Sequence, residues 1–347
     1  MSTIKRFSPF ILILLSLVSC SESKTSYYRQ WQEGHHLSDS SMVAYYGEEK
    51  PGIEYVLGLI TEAIDGNWEK VEEMTRGSRQ LDFAAYYHNL AMAMKGCLAD
   101  SLMYYYQPFE RGLFMPIGDE STQLKIAARS ESWYRLGEMT MAEHASMLAQ
   151  AFSLNHYGVP YLKRLAEVNL VNGQEEAAMK YLRLLSKEPG CEKWVADRIP
   201  GQQSKKVREH LKHMRSLVPT YDVVHSQSQY RVILKNLLRS NPENQLARQY
   251  LLCYDLLVKD VDSFMQDYDP SIDRSRLYDE AVLLYFAQRS EITQQNLARF
   301  RISNEVLQDF YSYNQLSVLS KGAMAPVQKK YGNTYWFFYQ YAKKNTN

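Results

Sequence analysis

At 347 residues and 40.4 kDa the chain can bury a substantial core, as one elongated repeat domain or two compact ones, and it needs no disulfide scaffold. Lys plus Arg number 40 against 39 for Asp plus Glu, so the charge balance gives no reason to expect nucleic acid or any strongly electrostatic partner. Tyrosine is the outlier, at 27 residues against 12 Phe and 5 Trp, and a ring with a polar tip suits both the half-wet grooves between packed helices and the binding of a sugar or peptide.

The N-terminus carries an export signal. Lys5 and Arg6 form a short positive region, and no charge follows until Glu22, leaving an apolar stretch with Ile11, Leu12, Ile13, Leu14 and Leu15 at its centre. That run contains Pro9 and several serines and falls short of the ~20 apolar residues of a spanning helix. Its edge, Leu17-Val18-Ser19-Cys20, resembles the bacterial lipobox: the transferase needs a thiol for the thioether, and the lipoprotein signal peptidase needs a small residue before the cut. Residues 1–19 are therefore expected to be removed, and Cys20 to become the lipidated first residue. Two acyl chains suffice for stable anchoring. Losing Lys5 and Arg6 takes the net charge from +1 to −1. Residues 20–50 are expected to serve as anchor and tether. Ser21 is not the Asp that retains lipoproteins at the inner membrane of enteric bacteria, which favours the outer membrane, and with Glu22 alone in residues 21–30 an acidic surface-export signal is weak. Cys97, Cys191 and Cys253 then remain, an odd set that allows at most one disulfide and reads best as buried thiols.

From residue 51 to 347 the sequence predicts one all-α, helical-repeat domain. Ile53, Val56, Leu57, Ile60 and Ile64 recur at helical spacing, and strict alternation is hard to find. Breaks fall at Asp65-Gly66-Asn67, 108–118, Pro189-Gly190, Pro200-Gly201, Asn241-Pro242 and Asp269-Pro270. Trp133, Leu136 and Gly137 have the W-x-x-L-G spacing that opens a tetratricopeptide repeat (TPR). In a second unit Leu162, Leu165, Ala166, Asn169, Ala178, Leu182 and Leu185 take repeat positions 4, 7, 8, 11, 20, 24 and 27, with Asn172-Gly173 as the turn. Gly137 and Ala166 are only 29 residues apart, so the units are degenerate TPR-like repeats forming an α-α superhelix. Asn241-Pro242 predicts a helix over 245–259 with Asn241 as its cap. Further helices are expected near 277–288 and 305–316. Tyr331, Tyr335, Phe338 and Tyr341 share a helical spacing that predicts a single closing helix.

The stretches 89–96 (NLAMAMKG), 164–173 (RLAEVNLVNG), 241–244 (NPEN) and 331–336 (YGNTYW) together resemble a Bacteroidetes envelope family catalogued as domain of unknown function 6057, over roughly residues 50 to 345. Members of that family carry several membrane spans ahead of this region, where this chain has a lipoprotein signal instead. The resemblance implies a helical envelope domain and brings no catalytic residue with it.

Motifs for chemistry are missing from the sequence: it has no HExxH, CxxC or GxSxG and no phosphate-binding glycine loop. His210 and His213, three apart on a predicted helix, could share a metal but read better as surface residues, and His35-His36 lacks a converging partner. Lys205, Lys206, Arg208, Lys212 and Arg215 form a basic stretch that could face anionic headgroups or, more simply, water. The apolar segment 108–118 is either a structural plug or a partner-binding loop. Neither a metal nor a cofactor is expected. The leading expectation is a TPR-like scaffold in the cell envelope that binds a protein or peptide; the alternative is a glycan-binding lipoprotein using tyrosine-rich grooves. An enzyme would need dispersed carboxylates such as Glu138, Glu143 and Glu167 to converge in a pocket.

Overall fold

The computed structural model describes residues 26–35, 38–46, 50–77, 81–116, 123–153, 156–220, 229–321 and 323–344. All regular elements among them are helical, so the chain is all-α, with neighbouring helices packed in pairs as in a helical-repeat array. It divides into two units, residues 1–54 and 55–347.

The first unit contains α1 (Tyr27–His35), α2 (Asp39–Tyr46) and the start of α3 (Lys50–Asp65), so residues expected to be tether include two short helices. Glu54 holds them in place. Its carboxylate accepts from the backbone N–H of Tyr27 (3.0 Å) and Tyr28 (2.5 Å) and from the Ser26 hydroxyl (2.6 Å), meeting donors that the first turn of α1 leaves open. The Lys50 ammonium lies 4.5 Å from the centre of the buried Tyr28 ring.

The second unit is built from hairpins whose turns repeat one device. Helices α4 (Trp68–Thr75), α5 (Asp82–Met94), α6 (Leu98–Ser101), α7 (Gln123–Leu136), α8 (Met139–Ala151), α9 (Val159–Val171) and α10 (Glu175–Leu185) follow in order. Between them Gly66, Gly96, Gly137 and Gly173 take positive φ, between 74° and 93°, at helix ends. The residue after each glycine sends its N–H back into the preceding helix, as Asn67 does to the Glu62 carbonyl (2.8 Å) and Glu138 to that of Trp133 (2.9 Å). This left-handed cap closes a helix and starts the next within two or three residues, and glycine reaches it without the Cβ clash. It is why the turns at 65–67 and 172–173 are visible in the sequence. Gly137 is also buried against its neighbour: a Cβ there would lie 2.6 Å from Leu217 Cβ and 2.7 Å from the Leu217 carbonyl oxygen.

The same cap recurs without glycine. After α11 (Glu192–Ala196), α12 (Lys205–Leu217), α13 (Tyr230–Ser240) and α14 (Gln245–Leu257), Lys259 takes φ 63° and leads into α15 (Val261–Asp267). Ser290 closes α16 (Arg276–Gln288) at φ 57°, and Arg301 closes α17 (Gln294–Arg299) at φ 54°. Helices α18 (Asn304–Leu319), α19 (Met324–Tyr331) and α20 (Tyr335–Tyr341) complete the chain.

Two expectations are corrected here. The helix after Asn241-Pro242 is capped by Asn244, whose side chain accepts from the Ala247 N–H (3.0 Å); Asn241 instead accepts from the Glu243 N–H (3.0 Å) in a turn. Asn244 is chosen because it also donates to the Leu136 carbonyl at the end of α7 (2.9 Å), tying distant helices together. The aromatic end is two helices, not one. Tyr331 closes α19, and Thr334 starts α20 by accepting from the Phe337 N–H (3.3 Å). The break brings Tyr335 N–H onto the buried Glu280 carboxylate (2.7 Å) and the Trp336 indole N–H onto the Glu280 carbonyl (2.8 Å).

Packing is mostly between chain neighbours, as in α7–α8 and α9–α10, but α14 also returns to α5 and α7. The Tyr86 hydroxyl of α5 enters the backbone ladder of α7, donating to the Ala128 carbonyl (2.5 Å) and accepting from the Ser132 N–H (3.1 Å). Those two groups are one i to i−4 rung, so the tyrosine replaces a helix hydrogen bond with two of its own.

Candidate functional site

The centre of the repeat body is an alternating chain of buried ions. Glu131 on α7 accepts from Arg135 Nε (2.6 Å) and from Arg164 of α9 (2.5 and 3.1 Å). Arg164 continues to Glu167 (2.6 Å), and Glu167 to Arg198 (2.7 and 2.9 Å). Three guanidiniums face two carboxylates, and the excess positive charge meets a helix end: Arg135 donates to the Ala63 carbonyl (2.9 Å) near the C-terminus of α3. Burial alone would raise the Glu167 carboxyl, but Arg164 and Arg198 more than reverse it and hold it at about 2. Arg164 also lies 3.7 Å from the centre of the Tyr134 ring, whose hydroxyl is 2.9 Å from His210 Nε2. Burial lowers the His210 pKa, so the imidazole is neutral here. These ions are satisfied by one another and serve to fix four segments of chain in register.

The apolar segment expected as plug or binding loop is a plug in its described part. Phe109, Leu113, Phe114 and Met115 are buried, and Phe114 stacks on both Trp133 (centroids 4.8 Å apart) and Tyr230 (4.4 Å), which also lie close to each other (6.2 Å). Two clefts open among the described residues, the first of them against the plug at Pro108 and Phe109. One, of about 360 Å³, is walled by the half-buried rings of Tyr105, Tyr106, Phe337, Phe338 and Tyr341. Tyr105 is fixed in place by stacking on His88 at 4.0 Å and by donating to the Thr75 carbonyl (2.7 Å). Lys259, 5.5 Å from the centre of the Phe338 ring, caps α20 through the carbonyls of Tyr339 (2.8 Å) and Ala342 (2.6 Å). The second cleft, of about 500 Å³, lies where the start of α16 meets the end of α19, and mixes apolar side chains such as Leu277 and Tyr104 with Asp100, Arg276, Glu280, Asp309 and Lys330. Met103 belongs to both walls.

Residues singled out from the sequence fare differently. Cys20 and His36 lie outside the described residues. Cys97, Cys191 and Cys253 are free thiols, half-buried in the first case and buried in the others. His210 is drawn inward to Tyr134, which corrects its expected surface position, while His213 is exposed. No group of three metal-ligating side chains occurs among the described residues. Lys205, Lys206, Arg208 and Lys212 face solvent, and Arg215 caps α9 through the carbonyls of Leu170 (2.7 Å) and Val171 (3.1 Å). Glu143 accepts from Asn169 (3.2 Å) and Glu167 is held by arginines, and neither lines a cleft. Twelve of the 24 tyrosines with described side chains are buried, so half of them serve packing. The sequence reading missed Tyr104-Tyr105-Tyr106, the run that faces the clefts. Its signal was three adjacent rings just before a proline-marked break, which cannot all enter one core.

Among the described residues no helix is long and apolar enough to cross a membrane. No curated protein and no solved structure matches the chain. A family model does match, over residues 2–342, and the chain belongs to that family of unknown function (DUF6057).

Proposed function

We propose that this chain is a lipid-tethered, non-catalytic binding protein of the cell envelope, favouring the outer membrane, whose TPR-like repeats form a scaffold for a protein or peptide segment. The observation that carries this reading is the buried ion chain from Arg135 to Arg198, which fixes the repeat helices in one arrangement before any partner arrives. Fold-level analogy supplies the partner class. The address rests on the lipobox at Cys20. Replacing Cys20 by Ala should abolish metabolic acyl labelling and release the protein from membranes, whereas persistent label and membrane retention would reject the tether. Affinity purification of the tethered protein from its native membrane tests the scaffold, and recovery of no protein partner above a Cys20→Ala control would reject it. The second reading, a glycan-binding lipoprotein, gains support from the half-buried rings of Tyr105, Tyr106 and Tyr341 around one cleft.

A further inference from the structure

We infer that the two clefts flanking Met103 form one binding site for a neutral, hydroxyl-rich chain, an uncharged oligosaccharide, with Tyr104 as its stacking platform. This rests on the glycan reading and not on the scaffold reading. The larger cleft, at about 500 Å³, falls in the range of about 300–1,000 Å³ usual for small-ligand sites. Its wall carries three carboxylates, Asp100, Glu280 and Asp309, and two cations, Arg276 and Lys330. Arg276 is held by Glu280 (3.0 Å), Asp309 (2.6 Å) and Glu305 (3.4 Å), and the Ser275 hydroxyl donates to Asp100 (2.8 Å).

This wall favours one kind of ligand. An anionic ligand would meet three carboxylates and an already paired Arg276, and an apolar one would dry carboxylates that keep open lone pairs. Hydroxyl groups both donate and accept, so a sugar can complete this wall without breaking a pair. One further feature fits. Tyr104, 71% exposed, is the most exposed aromatic residue among those described and stands at this cleft. A flat, wet ring beside hydrogen-bonding side chains suits the C–H face of a sugar. A chain is inferred because Met103 lines both this cleft and the aromatic one, where Tyr105 is already held flat against His88. Peptide recognition would use a strand edge or an apolar helix groove, and this wall, made largely of helix ends and charged side chains, offers neither.

The test uses the detergent-solubilised full chain, titrated calorimetrically with neutral hexasaccharides of glucose (α- and β-linked), mannose, xylose and N-acetylglucosamine, and with an uncharged hexapeptide as comparison. At least one hexasaccharide should bind. Tyr104→Ala should weaken that binding between about twofold and tenfold, the worth of one stacked ring. Asp309→Asn should weaken it too, and Tyr311→Ala, an exposed tyrosine outside both clefts, should leave it unchanged. Melting curves confirm that each variant is folded, and because Tyr104 is exposed its variant stays informative even if Asp309→Asn is not. The inference is overturned if no hexasaccharide binds, if only the hexapeptide binds, or if Tyr104→Ala binds as the parent does. A protein partner recovered from membranes alongside a failed sugar titration would leave the scaffold standing and remove this site alone.

Discussion

Gly137→Ala separates two costs that the glycine turns share unequally. Gly137 and Gly173 both close a helix at positive φ, 93° and 74°. Any L-residue placed there is strained by about 1–2 kcal/mol. At Gly173 a new Cβ would meet nothing within 4 Å, so that strain is the whole expected cost. At Gly137 the Cβ would stand 2.6 Å from Leu217 Cβ and 2.7 Å from the Leu217 carbonyl oxygen, distances only a shift of α12 against α7 can relieve. Overpacking of that kind adds about 1–3 kcal/mol. The lower entropy of an alanine-bearing unfolded chain offsets both variants alike and drops out of the comparison. Urea titrations of both variants, followed by far-ultraviolet circular dichroism, should place Gly137→Ala about 1–3 kcal/mol below Gly173→Ala. Equal losses would refute the close contact between the end of α7 and Leu217.

Ala178 is fully buried in the α9–α10 hairpin, whereas Glu175 lies exposed at the start of α10. Ala178→Leu should cost about 1–3 kcal/mol, and Glu175→Leu about 0.5 kcal/mol or less; similar denaturation midpoints for the two would undo the repeat register. A pH dependence is expected from Asp279, where burial outweighs Arg274 and pushes the carboxyl up to about 6. A carboxyl raised on folding stabilises the fold in its protonated form, so its contribution is full below the unfolded value near 4 and is lost as pH rises to about 6. Asp279→Asn cannot ionise, so its melting temperature should gain on the parent as pH climbs from 4 to 7, and a difference that does not change with pH would count against the assignment.

How much of this protein could be read from its residues follows from how local each cause is. The helical class, the turns at Gly66 and Gly173 and the buried positions Ala166 and Ala178 rest on spacing and on glycine's access to left-handed backbone, which neighbouring residues alone dictate. The signal and lipobox proposed to end at Cys20 rest on sequence pattern alone. The turns at Lys259, Ser290 and Arg301 were not legible, because there an ordinary residue is held at positive φ by what surrounds it. The sequence points to Asn241 as the cap; the structure uses Asn244, whose side chain also reaches the Leu136 carbonyl more than a hundred residues away. Glu131, Arg164 and Glu167 look like surface charges one by one. Only packing α7 against α9 buries all three at once and sets Arg164 between the two carboxylates. The clefts beside Met103 share that origin, since their walls join residues near position 103 to residues beyond 270, and no local rule of spacing brings such segments together.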